Sequence, residues 1–521
     1  MQHTCQRTRR LAATLVFLIL ATAALSGATK SEVATATPIQ HLVVIFQENV
    51  SFDHYFATYP NALNPPGEPS FTSKADTPTV NGLAGALLTQ NPNSAQPFRF
   101  SRLQQLTCDQ QHDYTPEQRA VNGGLMDKFV EFTGRTRPTS PLCEFGLGKN
   151  VVMGYYDGNT ATALWNYAQH FAMSDNFFET TFGPSTPGAV NLISGQTHGL
   201  DVVLDTGNLN TQVVDGTMIG NPRPALEDCL TGGKNLVTLT GRNIGDLLNE
   251  KGITWGWFHG GFRPTGRNPD GSAICGANHT TVGGFASFDY VPHHQPFQYY
   301  QQTANPHHLP PTSIDMIGQT DQAKHQYDLA DFWDAARAGN LPAVSFIKAP
   351  SYQDGHSENS DPIDEQNFIV NTINALQQLP QWRQTAVIIT YDDSDGWYDH
   401  VMPPIVNQSN TTADALTGAG SCGIASPGDY QGRCGYGPRL PLLVVSSWAK
   451  VNFVDHATTD QASILRLIED NWNLGRIGDQ SFDEKAGSML NMVDFTQGHR
   501  AKRVFLDANT GLIETTGESD E

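Results

Sequence analysis

The sequence predicts an α/β fold: a mostly parallel central sheet sandwiched by helices, with long loop excursions. Three observations carry that reading. Short apolar runs recur with helical segments between them, the pattern of alternating strand and helix. Those runs are continuous in polarity rather than alternating, as in strands covered on both faces. The chain has 521 residues and 39% hydrophobic content, enough for a sizeable core.

Taken in order, the first 28 residues read as an export signal. Arg7, Arg9 and Arg10 precede the apolar stretch "LAATLVFLILATAAL" and the small residues "SGA". The run is too short and wrongly flanked for a membrane anchor, and "TRRLA" half-matches a twin-arginine signal. The strands expected next are 41–46, 253–258, 343–349, 385–390 and 440–447, with helices over 243–252, 364–379 and 459–472. Thr459 is the expected N-cap of the last helix. Stretches 60–100 and 260–320, rich in Pro, Gly, Asn and Gln, read as excursions from the sheet. Neither an internal repeat nor a linker stands out, so 38–500 reads as one elaborated domain and 501–521 as a tail.

The charge excludes some partners. Formal net charge is −21, and removing the signal takes away three arginines and no acids, giving −24. Such a surface repels nucleic acid and anionic membranes. Six cysteines remain after the signal, which in an exported chain suggests three disulfides. Sequence order invites 108–143, 229–275 and 422–434, one pairing among fifteen. With no C-x-x-C spacing, a structural zinc site is not expected.

The chemistry concentrates where strands end. "TAVIIT" runs into "YDDSDGWYDH", which packs four aspartates and a histidine into ten positions. An EF-hand reading fails, because Tyr391 and Met402 stand where oxygen donors are required. A solvated acidic turn is the plain alternative. Against it, Asp392 and Asp393 leave an apolar strand at its carboxyl end, where open α/β sheets bind ligands. Two adjacent carboxylates also repel unless a cation or proton compensates. "HLVVIF" ends the same way, in Glu48 and Asn49, which taken alone could equally be a turn and a cap. Together the four residues form an oxygen-only set suited to one divalent ion: calcium, magnesium or manganese.

"TFGPSTPGAVNLISG" offers Ser185 on a tight bend before a helix. It resembles the G-x-S-x-G elbow, but Pro187 stands where the second glycine belongs, and a helix cap is the competing reading. His112, His293, His294 and His356 lie in polar loops, where imidazolium can contact phosphate oxygens or pass a proton. The chain lacks H-E-x-x-H and G-x-x-x-x-G-K-[ST], the signatures of zincins and nucleoside triphosphatases.

"HLVVIFQENVSFDHYF", "CDQQHDYTPEQRAVNGGLMDKFV", "FGPSTPGAVNLISG", "YVPHHQPFQYY", "SYQDGHSENSDP", "ITYDDSDGWYDHV" and "GYGPRLPLLVVSSWAK" together resemble the bacterial acid phosphatase and phospholipase C family of secreted phosphoesterases. "PHHQPFQYY" leans to the acid phosphatase branch. The resemblance, over roughly 38–500, implies an alkaline-phosphatase-like core and one metal ion held by Glu48, Asn49, Asp392 and Asp393. It places the nucleophile on Ser185, touching the metal, and phosphate contacts on Asn49, His112, His293, His294 and His356. His356 or His112 is then the proton donor expected for a departing alkoxide. The implied substrates are small phosphate esters or phospholipid headgroups, met in the periplasm or outside the cell. Val50 replaces the arginine common in the family's "QENRSFDHYF" form, so any contact made by that arginine is absent.

Overall fold

The computed structural model describes residues 34–135, 148–230, 232–418, 421–496 and 501–519. The expected export signal, residues 1–28, and Cys143 lie outside these residues. Thr35–Glu521 forms one compact unit.

The sheet is built from β1 (His41–Gln47), β2 (Ala172–Phe178), β3 (Trp255–His259), β4 (Gln326–Asp328), β5 (Val344–Lys348), β6 (Thr385–Tyr391), β7 (Arg439–Ser446), β8 (Phe453–Asp455) and β9 (Thr459–Asp460). Their spatial order is β4-β3-β5-β1-β6-β7-β2-β8, with β9 also pairing β2. Only β7 runs antiparallel to its neighbours, so the expected mostly parallel sheet is present. Every residue of β5, β6 and β7 is buried. Because successive side chains point to opposite faces, both faces of these strands are covered, and the continuous apolar runs follow from that.

Five helices matter for the site: α1 (Tyr114–Val121), α2 (Ser185–Ser194), α3 (Ile244–Glu250), α4 (Pro362–Gln377) and α5 (Gln461–Trp472). The expected cap of α5 moves by one residue. Thr459 is spent in β9 against Phe177, and Asp460 caps instead, accepting from Ala462 N at 3.2 Å while Ser463 closes the capping box. Strands β2, β4, β8 and β9 escaped the sequence reading. "AMSDNFF" carries polar residues within a buried run, and β4 and β8 have only three residues each.

The expected C-terminal tail is also corrected. Ala501–Leu506 (β10) and Ile513–Ser519 (β11) pair as an antiparallel hairpin. Gln377 of α4 holds Val504 on both sides, donating to its carbonyl at 2.8 Å and accepting from its N–H at 2.6 Å. Trp382 Nε1 donates to Lys502 O at 2.9 Å, fixing the hairpin to the body. Cys229–Cys275 and Cys422–Cys434 form the disulfides suggested by order, the first tying the 260–320 excursion back to the chain before α3. Among the described residues no helix is long and apolar enough to cross a membrane.

Candidate active site

The parallel order places the carboxyl ends of β1, β5 and β6 side by side, since Phe46 pairs with Lys348 and Gln47 with Tyr391. Glu48, Lys348 and Asp392 therefore emerge at one edge. Asn49 leaves β1 at φ 59°, in the left-handed region that asparagine tolerates better than most residues. That turn lets consecutive residues face one spot. Asn49 N donates to Asp392 Oδ1 at 2.9 Å, which locks the two strand exits together.

Ser185 arrives from the other side. It is the first residue of α2, and the N-cap position belongs to Pro184, which makes no side-chain cap bond. The Ser185 hydroxyl donates to Asp393 Oδ2 at 3.1 Å, so the capping alternative does not hold. Gly183, at φ 128°, makes the bend, and its N–H donates to the buried Glu117 carboxylate of α1 at 3.0 Å. Glu117 also accepts from the Ser394 hydroxyl at 2.7 Å, bracing the serine turn and the aspartate turn from below. Gly188 compensates for the misplaced second glycine of the elbow: a Cβ there would collide with the carbonyl oxygen of Asp392. Gly188→Ala should therefore push α2 off the Asp392 turn, costing roughly 1–3 kcal/mol in chemical denaturation and loosening the Ser185–Asp393 bond.

Four oxygens decide whether a cation fits. Glu48 Oε2, Asn49 Oδ1 and Asp392 Oδ2 are buried without hydrogen-bond donors, and Asp393 Oδ2 has only the serine hydroxyl. Buried carboxylates without partners are costly unless paired or metal-bound, so the donor set fits a hard divalent ion. Ligand atoms of Glu48, His294 and Asp354 also lie within 4.8 Å of one another. On that side, however, Lys348 forms an ion pair with Glu48 Oε1, where its ammonium opposes a dication.

The histidines divide. His112 Nδ1 lies 3.2 Å from Asp395 Oδ1 and its Nε2 lies 3.9 Å from Asp393 Oδ2, beside the serine. Burial works against its charge, but Asp393, Asp395 and Asp109 outweigh it and hold the imidazole well above its ordinary range. His356 is likewise opposed by burial yet carried up to about 9 by Asp109, Asp354, Glu48 and Asp395. His294, packed 2.9 Å from Glu48 Oε1, is driven well below its ordinary value by burial and by Lys348. Its ring lies 6.4 Å from that of His356 and 4.2 Å from that of His293, so the three form one wall. His112 and His356 are thus held toward the charged form and His294 toward the neutral one.

Asp395 was missed by sequence reasoning and joins the parts. It accepts from Asn49 Nδ2 at 3.0 Å and from Ser357 Oγ at 2.8 Å while facing His112. Lys348 and Asp354 were missed too, although a lysine ending an otherwise apolar strand was a visible signal. Asp399, in contrast, belongs to the framework. With Asp53 it flanks the buried Arg439, each at 3.1 Å, and His400 closes that network 2.6 Å from Asp53. The acid-rich stretch therefore divides into a site half and a structural half.

Residues 39–475 match the family model described as Phosphoesterase family. The chain belongs to that family. Relatives in it include the non-hemolytic phospholipase C of Pseudomonas aeruginosa, 24% identical over 453 residues, covering 84% of this chain and 54% of that protein. Phospholipase C B of Mycobacterium tuberculosis is 25% identical over 445 residues, 83% of this chain and 73% of its own. Non-specific phospholipase C6 of Arabidopsis thaliana is 24% identical, covering 79% of this chain and 62% of its own. The chain thus spans about half the length of the Pseudomonas member of the family. Among solved structures, murine ectonucleotide pyrophosphatase / phosphodiesterase 5 matches 64% of this chain and 95% of its own at 12% identity, with a TM-score of 0.31.

Proposed function

We propose that the protein is an exported, metal-dependent phosphoric ester hydrolase acting on small phosphomonoesters, with Ser185 as nucleophile. The observation that carries this is the Ser185 hydroxyl bonded to Asp393 beside three orphaned, buried oxygens. One divalent ion held by Glu48, Asn49, Asp392, Asp393 and Ser185 would supply Lewis-acid stabilisation of the serine oxygen and the phosphoryl charge.

The chain's own groups do the rest. Asp393 Oδ2 orients the hydroxyl and is placed to take its proton as the Oγ–P bond forms. The N-terminus of α2 directs its positive dipole end at the incoming phosphoryl group. In-line displacement puts the departing oxygen opposite the nucleophile. His112 Nε2 lies 3.9 Å from the carboxylate that holds Ser185, which puts it on the entering side and leaves His356 to protonate the leaving alkoxide as the P–O bond breaks. Water then releases phosphate from the serine. The disulfides Cys229–Cys275 and Cys422–Cys434 support an oxidising compartment.

The names of the relatives favour a second reading, a phospholipase C on choline-type diesters. Purified protein assayed on p-nitrophenyl phosphate and p-nitrophenyl phosphorylcholine, with a chelator control, separates the two. Faster monoester cleavage, abolished by chelation, is the expected result. Preference for the choline diester would support the second reading, and turnover unaffected by chelation would sink both.

Proton binding gives a further expectation for the chelated protein. Burial, reinforced by Glu48, pushes Asp392 up from 3.8 to about 7, while His356 moves from 6.5 to about 9. Both hold protons more tightly folded than unfolded. Each therefore contributes stability that is complete below its unfolded value and is lost as pH rises through its folded one. In chelator, Tm should fall between pH 5 and pH 9, and added divalent ion should restore it near pH 7.5. Calorimetry showing Tm rising across that interval in chelator would contradict the assignment.

A further inference from the structure

Lys348 ends β5, a strand otherwise made of Val344, Ser345, Phe346 and Ile347, and it is completely buried. Burying an ammonium is costly unless a partner offsets the lost hydration. Its partner is Glu48 Oε1, while the face of the Phe46 ring lies 5.6 Å from Nζ. A lysine present only to satisfy a buried carboxylate would leave no orphan behind. Here Glu48 Oε2 is left without a donor, as are Asn49 Oδ1 and Asp392 Oδ2 at the same strand exits.

The charges around that site then balance in a particular way. Glu48, Asp392 and Asp393 bring three negative charges; a divalent ion cancels two and the Lys348 ammonium the third. The outer carboxylates have cationic neighbours of their own: Asp109 faces Arg135 at 3.4 Å, Asp395 faces His112, and Asp354, beside Glu48, has His356 as well as Lys348. Without Lys348 the loaded site would carry a net negative charge toward an anionic substrate.

We propose that Lys348 is a positioning residue for anionic substrate: it neutralises the loaded site from beneath Glu48 without touching the phosphoryl group. This rests on the reading of Glu48, Asp392 and Asp393 as one cation site, deepens it, and gives the charged lysine a task that packing alone does not.

The test uses the full mature chain as Lys348→Met and Lys348→Gln, each reloaded with magnesium or calcium. Metal per chain is measured by atomic emission, and the Kd for inorganic phosphate by titration calorimetry. Glutamine can still donate to Glu48 Oε1, so that variant removes the charge and keeps the hydrogen bond. Metal content should be unchanged and the phosphate Kd should rise about tenfold or more in both, as expected for one charge removed a few ångströms away. Unchanged phosphate affinity in the metal-loaded variants would overturn the proposal. So would loss of metal in both, which would make the lysine a support for Glu48 geometry, or loss of the near-ultraviolet circular dichroism of the folded chain in both. A wild-type protein that binds neither metal nor phosphate would instead refute the site reading beneath it.

Discussion

Ser185→Ala is expected to lower kcat/KM by roughly 10⁴-fold or more while leaving the fold intact. The hydroxyl makes one hydrogen bond, to Asp393, and its loss removes no apolar packing. Backbone conformation should persist as well, because Gly183, Glu117 and the close approach of Gly188 to Asp392 hold the bend without it. The residual rate is the informative quantity. A variant retaining a tenth of wild-type turnover with an unchanged chelator response would assign the nucleophile to water and leave Ser185 as a mere ligand. Mass spectrometry of wild-type protein quenched during turnover should find the phosphoryl group on the peptide containing Ser185.

Asp393→Asn carries the second largest expected effect, for a different reason. The carboxylate is at once a proposed cation ligand and the acceptor that aims the serine. Burial, with Asp392 and Glu48 beside it, already pushes the Asp393 carboxyl well above the usual range, so the site strains to keep it charged without a cation. An amide there removes the charge, offers hydrogen atoms to a serine that needs an acceptor, and sets one of them against His112. Activity should fall to the same floor as Ser185→Ala, and the double variant should be no worse, because the two residues act as one unit. Metal content should also drop in Asp393→Asn but not in Ser185→Ala. Additive losses in the double variant would show that they act separately.

Much of this site was legible because its chemistry sits at strand exits. Glu48 with Asn49, and Asp392 with Asp393, follow apolar runs long enough to read as buried strands, and their placement at one edge follows from a parallel order. Ser185 was legible as a bend but ambiguous as a cap, since deciding between them requires knowing that Pro184 occupies the cap position. The hidden parts are those set by register. Lys348 meets Glu48 only because Phe46 pairs with Lys348 across β1 and β5. Asp395 gathers Asn49, His112 and Ser357 from three segments far apart in sequence. The histidines looked alike in sequence, and separate only through which neighbours each one faces. The tail was misread because its hairpin is held by Gln377 and Trp382, which nothing in residues 501–521 announces.

The place of β1 in the sheet has a consequence for how the chain must be made. This strand is synthesised long before the two neighbours it ends between, Leu42 pairing with Val344 on one side and Ala386 on the other. Until those residues have emerged, an apolar strand waits with both edges open, the condition that invites association with other chains. The sheet therefore cannot close in the order in which its strands are made. A ribosome-bound fragment ending before β6 should have no cation site at all, so metal uptake during synthesis would report completion of the sheet.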